Sequence, residues 1–296
     1  MTGISKSVKA AVEKALSPEF GGSLNIRNAS TVGGGSINEA YHLSTDNGEF
    51  FLKLNSAKRY PEMFEREAEG LVALKNANSI EIPEVVLTGD DGDQAFIVIQ
   101  YIEKGAPGPD FWNEFGRSLA RLHRNTNDRF GFEKDNYIGS LAQANNWAEN
   151  WTEFFVRERL EVMVKMAVDK GKLVRETIRQ FDRLCAVIDD YFPEEPPALL
   201  HGDLWSGNYL CNDRGKPVIF DPAVYYGHRE MDLGMSRLFG GFDREFYRVY
   251  DEQYPLEKGW EERLEVANLY PLLVHVNLFG GSYVYDVQRI LKRVVG

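Results

Sequence analysis

Cysteine is almost missing from this chain. Only Cys185 and Cys211 occur among 296 residues, with no CxxC and no Cys/His cluster, which excludes a disulfide framework and a structural zinc site. Two buried, inert thiols are the expectation. No apolar run approaches the roughly 20 residues that a membrane-spanning helix needs. The first residues interleave Lys6, Lys9 and Lys14 where a secretory signal would carry an apolar core. A cytoplasmic protein with no membrane partner is therefore expected. A basic excess is also lacking: 45 acidic against 34 basic residues give a net charge of −11. That balance opposes a phosphate backbone and removes nucleic acid from the expected partners, whereas an amine-bearing substrate suits the field. Internal repeats, low-complexity tracts and long disordered linkers are absent as well.

What is present is an ordinary globular composition, 43% hydrophobic, enough to bury a core in one large domain or two closely joined lobes. Val8, Ala11, Val12, Ala15 and Leu16 recur at helical spacing until Pro18 and Gly21-Gly22 end the pattern. The period then changes. Alternation in Glu39-Ala40-Tyr41-His42-Leu43 and the apolar Phe50-Phe51-Leu52 flank the turn Asp46-Asn47-Gly48, predicting a β-hairpin behind a Gly-rich turn. Residues 61 to 77 return to helix, with Pro61 at the start and Phe64, Ala68, Leu71, Val72 and Leu74 on one side. Val85 to Leu87 and Phe96 to Tyr101 read as two more short strands. From Asp110 onward helical patterns dominate, broken chiefly by residues 196 to 228. The fold class expected is α+β: a small β-rich N-lobe over residues 1–102 and a larger, mainly helical C-lobe over 103–296, joined through Glu103 to Pro109.

The chemistry concentrates in Leu200-His201-Gly202-Asp203-Leu204-Trp205-Ser206-Gly207-Asn208, followed by Val218-Ile219-Phe220-Asp221-Pro222. Between the two halves lies a predicted hairpin, Tyr209-Leu210-Cys211, the turn Asn212-Asp213-Arg214-Gly215, then Val218-Ile219-Phe220. A hairpin returns the chain to where it began, so Asn208 and Asp221 are expected side by side at its open end. An amide oxygen and a carboxylate so placed can share Mg²⁺, a hard cation that needs few protein ligands when phosphates supply the rest. Asp203 enters the same hairpin five positions before Asn208, the place of a base that takes a proton from an incoming hydroxyl during phosphoryl transfer. The order of base, Asn and Asp is that of protein kinases, with His-Gly-Asp in place of His-Arg-Asp. A polar turn followed by a strand exit would explain either half alone. It does not explain both at this spacing.

Upstream, Gly33, Gly34, Gly35 and Ser36 precede the first hairpin, where glycines let backbone N–H groups approach phosphates. By itself such a run more often marks a tight turn. Lys53 lies in the apolar strand Phe51-Leu52-Lys53-Leu54, and an inward Lys needs an anionic partner. Glu67 on the following helix can hold it against the α- and β-phosphates of ATP, with Glu65 and Glu69 as competitors that periodicity does not separate.

At this point the chain resembles the fructosamine (ketosamine) kinase family, related to the aminoglycoside and choline kinases within the protein-kinase-like fold. The resemblance runs from Gly33 to about Leu291. Its distinctive pieces are His201 to Asn208 with Trp205 inside, Asp221-Pro222-Ala223 followed by Tyr225-Tyr226-Gly227-His228, and Phe239-Gly240-Gly241-Phe242. Asp135-Asn136-Tyr137-Ile138-Gly139-Ser140, with Asn146-Trp147, Trp151 and Phe154-Phe155, resembles the family's own insert. The resemblance implies a bilobal protein-kinase-like fold and ATP with Mg²⁺ as cofactors. It also implies a ketosamine acceptor, either a small molecule or a glycated protein or amine, phosphorylated on its third-carbon hydroxyl as a repair step that frees the amine. By position it implies Asp203 as base, Asn208 and Asp221 as metal ligands, Lys53 paired with Glu67, and Gln100-Tyr101-Ile102 as the hinge whose backbone holds adenine.

Ser36 stands where many family members carry Cys, so a redox switch at that loop is not available here. Trp205 offers a flat face to a sugar or its amine, and His275, on the apolar helix Leu272-Leu273-Val274-His275-Val276, matches a family position that faces the sugar. Core filling is the competing account of both. His123 and Asp232 read as structural, Asp232 bracing the catalytic loop. The alternatives to a ketosamine kinase are an aminoglycoside- or choline-type kinase and a non-catalytic ATP-binding scaffold. The scaffold would need a missing base or metal ligand, and Asp203, Asn208, Asp221 and Lys53 are all in place.

Overall fold

The computed structural model describes residues 3–33 and 37–296. Along the chain run α1 (Lys6–Leu16), β1 (Ile26–Thr31), β2 (Glu39–Thr45), β3 (Gly48–Ser56), α2 (Met63–Asn76), β4 (Val85–Asp90), β5 (Gln94–Gln100) and α3 (Phe111–His123). Next come β6 (Asn136–Ile138), β7 (Leu141–Gln143), α4 (Trp151–Phe154), a π-helical turn Phe155–Leu160, α5 (Glu161–Asp169) and α6 (Arg175–Cys185). The last part holds β8 (Ala198–Leu200), β9 (Tyr209–Cys211), β10 (Pro217–Ile219), β11 (Tyr225–Gly227), α7 (Glu230–Arg237), α8 (Arg244–Gln253), α9 (Trp260–Ala267), α10 (Leu269–Leu278) and α11 (Ser282–Val295). Among the described residues no helix is long and apolar enough to cross a membrane.

The chain forms two compact units, one of residues 1–111 with 209–221 and the other of 112–208 with 222–296. The first unit is built on an antiparallel sheet in the order β1-β2-β3-β5-β4. The expected hairpin turns at Asp46-Asn47, with Thr45 paired to Gly48. Successive side chains of a strand point to opposite faces. Phe50, Leu52 and Leu54 of β3 therefore share a face, and they bury against Val8, Val12 and Leu16 of α1. Lys53 and Asn55 take the other face, toward α2: Asn55 Nδ2 lies 3.2 Å from Met63 Sδ. The α2 helix begins two residues after Pro61, behind a left-handed Glu62.

The segment 209–221 belongs to the first unit because backbone bonds tie it there. Gly105 N–H donates to the Cys211 carbonyl at 2.9 Å, and Ile219 N–H donates to the Glu81 carbonyl at 3.2 Å. The Glu81 carboxylate accepts from Asn212 Nδ2 at 2.9 Å and from the Arg214 guanidinium. Such contacts join residues far apart in sequence and leave no mark on local pattern. A boundary read from composition after residue 102 does not find them.

In the second unit the core gathers residues from Phe130 to Leu291. Two ion pairs are buried inside it. Arg229 binds the Glu195 carboxylate through Nε and Nη2, each at 2.7 Å, and donates to the Tyr254 and Pro255 carbonyls. Arg263 grips Glu230 with its closest bond at 2.6 Å and donates to the Glu257 and Lys258 carbonyls. The two arginines thereby pin the irregular stretch between α8 and α9. Of the cysteines, Cys211 is buried as expected while Cys185 is half-buried. Burial pushes both thiols up, keeping them protonated and unreactive.

Glu230 is fully buried. Arg263→Met keeps the volume and leaves that carboxylate unpaired, so the unfolding free energy is expected to fall by about 3–5 kcal/mol. Urea denaturation followed by circular dichroism checks it, and a loss below about 1 kcal/mol would mean that the pair is solvated.

Candidate functional site

In the first unit Lys53 is almost wholly buried on the α2 face of β3. A buried ammonium is tolerated only when paired, and Lys53 Nζ donates to Glu67 Oε1 at 2.7 Å and also to Asp221 Oδ1. Burial opposes its charge, but the carboxylates of Asp221 and Glu67 outweigh it and raise the ammonium above its usual range. Glu67 is pushed up by burial against the pull of Lys53. Of the competing glutamates, Glu69 accepts from Arg66 at 2.8 Å. Helical spacing explains the choice, since Glu67 lies four residues past Met63, the residue that meets Asn55 on the same sheet face. Asp221 has φ of 58°, a left-handed conformation costly for a residue with a Cβ and often found at working sites.

The second unit holds the loop His201–Asn208. Gly202 has φ of 83°, and a Cβ there would lie 2.0 Å from the Ala223 carbonyl oxygen, so no other residue fits. The backbone N–H groups of His201 and Gly202 donate to the two oxygens of Asp232, at 2.7 and 2.9 Å. His123 Nε2 lies 3.2 Å from the same carboxylate and His123 Nδ1 lies 2.7 Å from the Tyr250 hydroxyl. A carboxylate only accepts, which places a proton on Nε2. Burial alone would raise Asp232, but the bond from His123, both imidazoles and the Gly202 N–H hold it below the usual carboxylate value. Asp232 thus braces the loop, as its position in the sequence suggested.

Within that loop Asn208 Nδ2 donates to both the backbone oxygen and Oδ2 of Asp203, each at 2.9 Å. The bond fixes the Asp203 rotamer and turns Asn208 Oδ1 away from that carboxylate. Asn208 directly precedes β9, and Asp221 follows β10 by two residues. Their donor chemistry, one amide oxygen and one carboxylate, fits Mg²⁺. No cluster of three or more His, Cys, Asp or Glu residues suited to a metal occurs among the described residues.

Trp205 is half-buried. Its ring lies against the backbone at Gly207, where a Cβ would come within 2.4 Å of it. Trp205 meets Phe239 edge-on, with centroids 6.1 Å apart. Phe239 in turn lies 4.8 Å from His275 and 6.2 Å from Tyr283, and His275 lies 5.6 Å from the exposed Phe279. His275 Nδ1 is 2.8 Å from the Pro271 carbonyl, which can only accept. Nδ1 therefore carries the proton, and burial lowers the ring's basicity, leaving a neutral imidazole with Nε2 as an acceptor. The result is an aromatic wall carrying a hydrogen-bond acceptor.

Phe239 was not among the expected site residues, although its Phe-Gly-Gly-Phe string stands out in the sequence. It has φ of 57° and remains 39% exposed. Strain of this kind costs about 1–3 kcal/mol and is often found at working sites. Tyr283 and Phe279 gave no signal either, because only the tertiary fold brings the loop after α7 to the end of α10.

Of the remaining expected residues, Gly33 is exposed with open space around its α-carbon. Gly34, Gly35 and Ser36 lie outside the described residues. At the hinge, Gln100 N–H is committed to the Glu84 carbonyl at 2.8 Å, and Tyr101 stacks on His42 with centroids 4.0 Å apart.

Comparison with known proteins follows the same lines. The sequence profile of the family described as fructosamine kinase matches residues 8–296. A protein of Enterococcus faecium named probable ketoamine kinase is 39% identical, over 88% of this chain and 93% of its own. The chloroplastic protein-ribulosamine 3-kinase of Arabidopsis thaliana is also 39% identical, over 92% of this chain and 86% of its own. A Haemophilus somnus structure solved under the name fructosamine-3-kinase superposes with a TM-score of 0.88 at 29% identity, covering 97% of each chain. Aminoglycoside phosphotransferase APH(4)-Ia, bound to AMP-PNP and hygromycin B, gives 0.64 at 16% identity over 96% of this chain and 99% of its own. That level of identity speaks for the protein-kinase-like fold alone.

Asp232→Asn replaces one acceptor oxygen by an N–H₂ group and sets donor against donor at the loop backbone. A loss of about 1–3 kcal/mol in unfolding free energy is expected. Differential scanning calorimetry measures it, and an unchanged melting temperature would show that the loop does not depend on this carboxylate.

Proposed function

Because the chain belongs to the fructosamine kinase family, matched over nearly its whole length, we propose that it transfers the γ-phosphoryl group of ATP to the third-carbon hydroxyl of a ketosamine. The regiochemistry follows the name of the Arabidopsis relative, a protein-ribulosamine 3-kinase. The observation that carries the reading is the fixed Asp203 carboxylate, oriented by Asn208 Nδ2 at 2.9 Å on a loop braced by Asp232.

In this reading Asp203 accepts the proton of the attacking hydroxyl as its oxygen bonds to phosphorus, and ADP leaves with the electron pair of the broken P–O bond. Lys53 presents its charge to the α- and β-phosphates, and Glu67 keeps it in place while its burial prevents it from straying. Asn208 and Asp221 would hold Mg²⁺ through oxygen atoms. When bound, the ion neutralises charge that builds on the phosphate oxygens. The Gly-rich segment Gly33 to Ser36 and the hinge Gln100 to Ile102 would receive the nucleotide.

The acceptor side is assigned to Trp205 and His275, joined by Phe239. Aromatic faces suit the carbons of a sugar and the adjacent secondary ammonium, and the unprotonated Nε2 of His275 suits a sugar hydroxyl. Phosphorylation at the third carbon would weaken the sugar–amine adduct and return the amine, a repair of glycation damage to metabolites or proteins.

Two outcomes follow. Asp203→Asn is expected to lower turnover by about 10²–10⁴-fold while nucleotide binding, measured by titration calorimetry, stays intact. Near-normal turnover would remove Asp203 as the base. Trp205→Ala, Phe239→Ala and His275→Ala are each expected to lower kcat/KM for a ketosamine by about 10–200-fold with the KM for ATP little changed. A panel of fructose-, ribulose- and erythrulose-derived adducts assayed beside aminoglycosides and choline checks the acceptor class. Preference for an aminoglycoside or choline would overturn it.

A further inference from the structure

The β6–β7 ribbon and the residues after it are a distinctive part of the sequence for which phosphoryl transfer as described has no use. Its polar side chains are nevertheless buried: Gln143 is 1% exposed and Asn136 is 8% exposed. Buried amides mostly have their donors and acceptors matched. Gln143 Nε2 donates to the Ala223 carbonyl at 3.1 Å and to Asn136 Oδ1 at 2.7 Å. Gln143 Oε1 accepts from the Tyr270 hydroxyl at 2.6 Å, and Asn136 Nδ2 donates to the Val224 carbonyl at 2.8 Å. Both amide orientations are fixed by this pattern, because the backbone carbonyls accept only N–H.

The chain is held again from behind. Arg159, wholly buried in the π-helical turn, stacks its guanidinium 4.1 Å above Tyr225 and 5.3 Å from Tyr270, and donates to Asn145 Oδ1 at 2.7 Å. At the other end, Ala223 N–H donates to the His201 carbonyl at 2.9 Å. Its carbonyl faces the α-carbon of Gly202, so close that no Cβ fits. Asp203 is the next residue; burial raises the Tyr270 phenol, with the charge of Asp203 adding a minor push in the same direction.

We propose that Gln143 is a positioning residue for phosphoryl transfer: anchored by Asn136 and Tyr270, it holds the Ala223 carbonyl against Gly202 and thereby sets where Asp203 points. The proposal rests on the reading of Asp203 as the base. Asp232 grips the loop through the His201 and Gly202 N–H groups, and Gln143 grips the segment before β11 through the Ala223 carbonyl. The loop is thus fixed from two sides by side chains that touch neither ATP nor acceptor. Displacement of a reacting group by about 1 Å can cost 10²-fold in rate, and the loss falls chiefly on kcat because Gln143 bonds to no residue assigned to ATP or acceptor.

The test uses Gln143→Met, which keeps length and volume but makes none of the three bonds, and Tyr270→Phe, which removes only the bond to Oε1. Both are read by steady-state kinetics and by hydrogen–deuterium exchange of the full chain without ligand. Gln143→Met is expected to lower kcat by about 10–100-fold with both KM values within about twofold. Exchange at the amides of residues 201–203 should rise while that of α11 does not change. Tyr270→Phe should lower kcat by about threefold to tenfold, the loss of one neutral hydrogen bond. A folded Gln143→Met protein with kcat within twofold of the parent, or with unchanged exchange at 201–203, overturns the proposal. If Gln143→Met does not fold, Tyr270→Phe decides, and an unchanged kcat overturns it. Failure of the kinase reading looks different, since the parent protein itself would then turn over no ketosamine.

Discussion

A single buried carboxylate organises the catalytic loop. Asp232 accepts from two consecutive backbone N–H groups and from His123. That arrangement is possible only because Gly202 takes a left-handed conformation and lies flat against Ala223. The charge is buried yet stable, because three donors replace the water it has lost. Asp203 follows directly and inherits its place from this clamp, and Asn208 then fixes its rotamer. Rigidity is the purpose, since proton transfer in phosphoryl transfer is a matter of position before it is a matter of acidity.

The other unit solves a related problem with opposite signs. Lys53 is drawn to the α2 face by the two-residue period of β3, away from the apolar face that packs on α1. Once there it is paired with Glu67 and Asp221. A cation held by two carboxylates keeps its charge and its direction. One strand therefore builds a core with one face and a charged site with the other.

The aromatic wall of Trp205, Phe239, His275 and Tyr283 differs in kind. His275 offers Nε2 as an acceptor, beside the Trp205 N–H and the Tyr283 hydroxyl, so the wall joins aromatic faces to a few polar groups. The net charge of −11 supplies what such a wall lacks, a long-range pull on amine-bearing substrates. Glycation adducts carry both features, a polyhydroxylated carbon chain and an ammonium beside it.

Much of this was legible in the residues. The strand periods, the turn at Asp46-Asn47, the hairpin after Asn208 and the family resemblance all lie in local pattern, because short-range sterics and binary patterning act over a few residues. The polar side chains Lys53, Asp203, Asn208 and Asp221 also stand out in the sequence by type and spacing. Periodicity left three glutamates open to Lys53 and the family resemblance chose Glu67, which is where the structure pairs it. Tertiary structure alone decided that segment 209–221 packs with the first unit and that Phe239 is bent into the open beside Trp205. It alone brought Gln143 to the Ala223 carbonyl across 80 positions of chain. The physical reason is common to all three: each rests on a contact between residues distant in sequence, whose energy depends on burial and on matched hydrogen bonds that no local window contains.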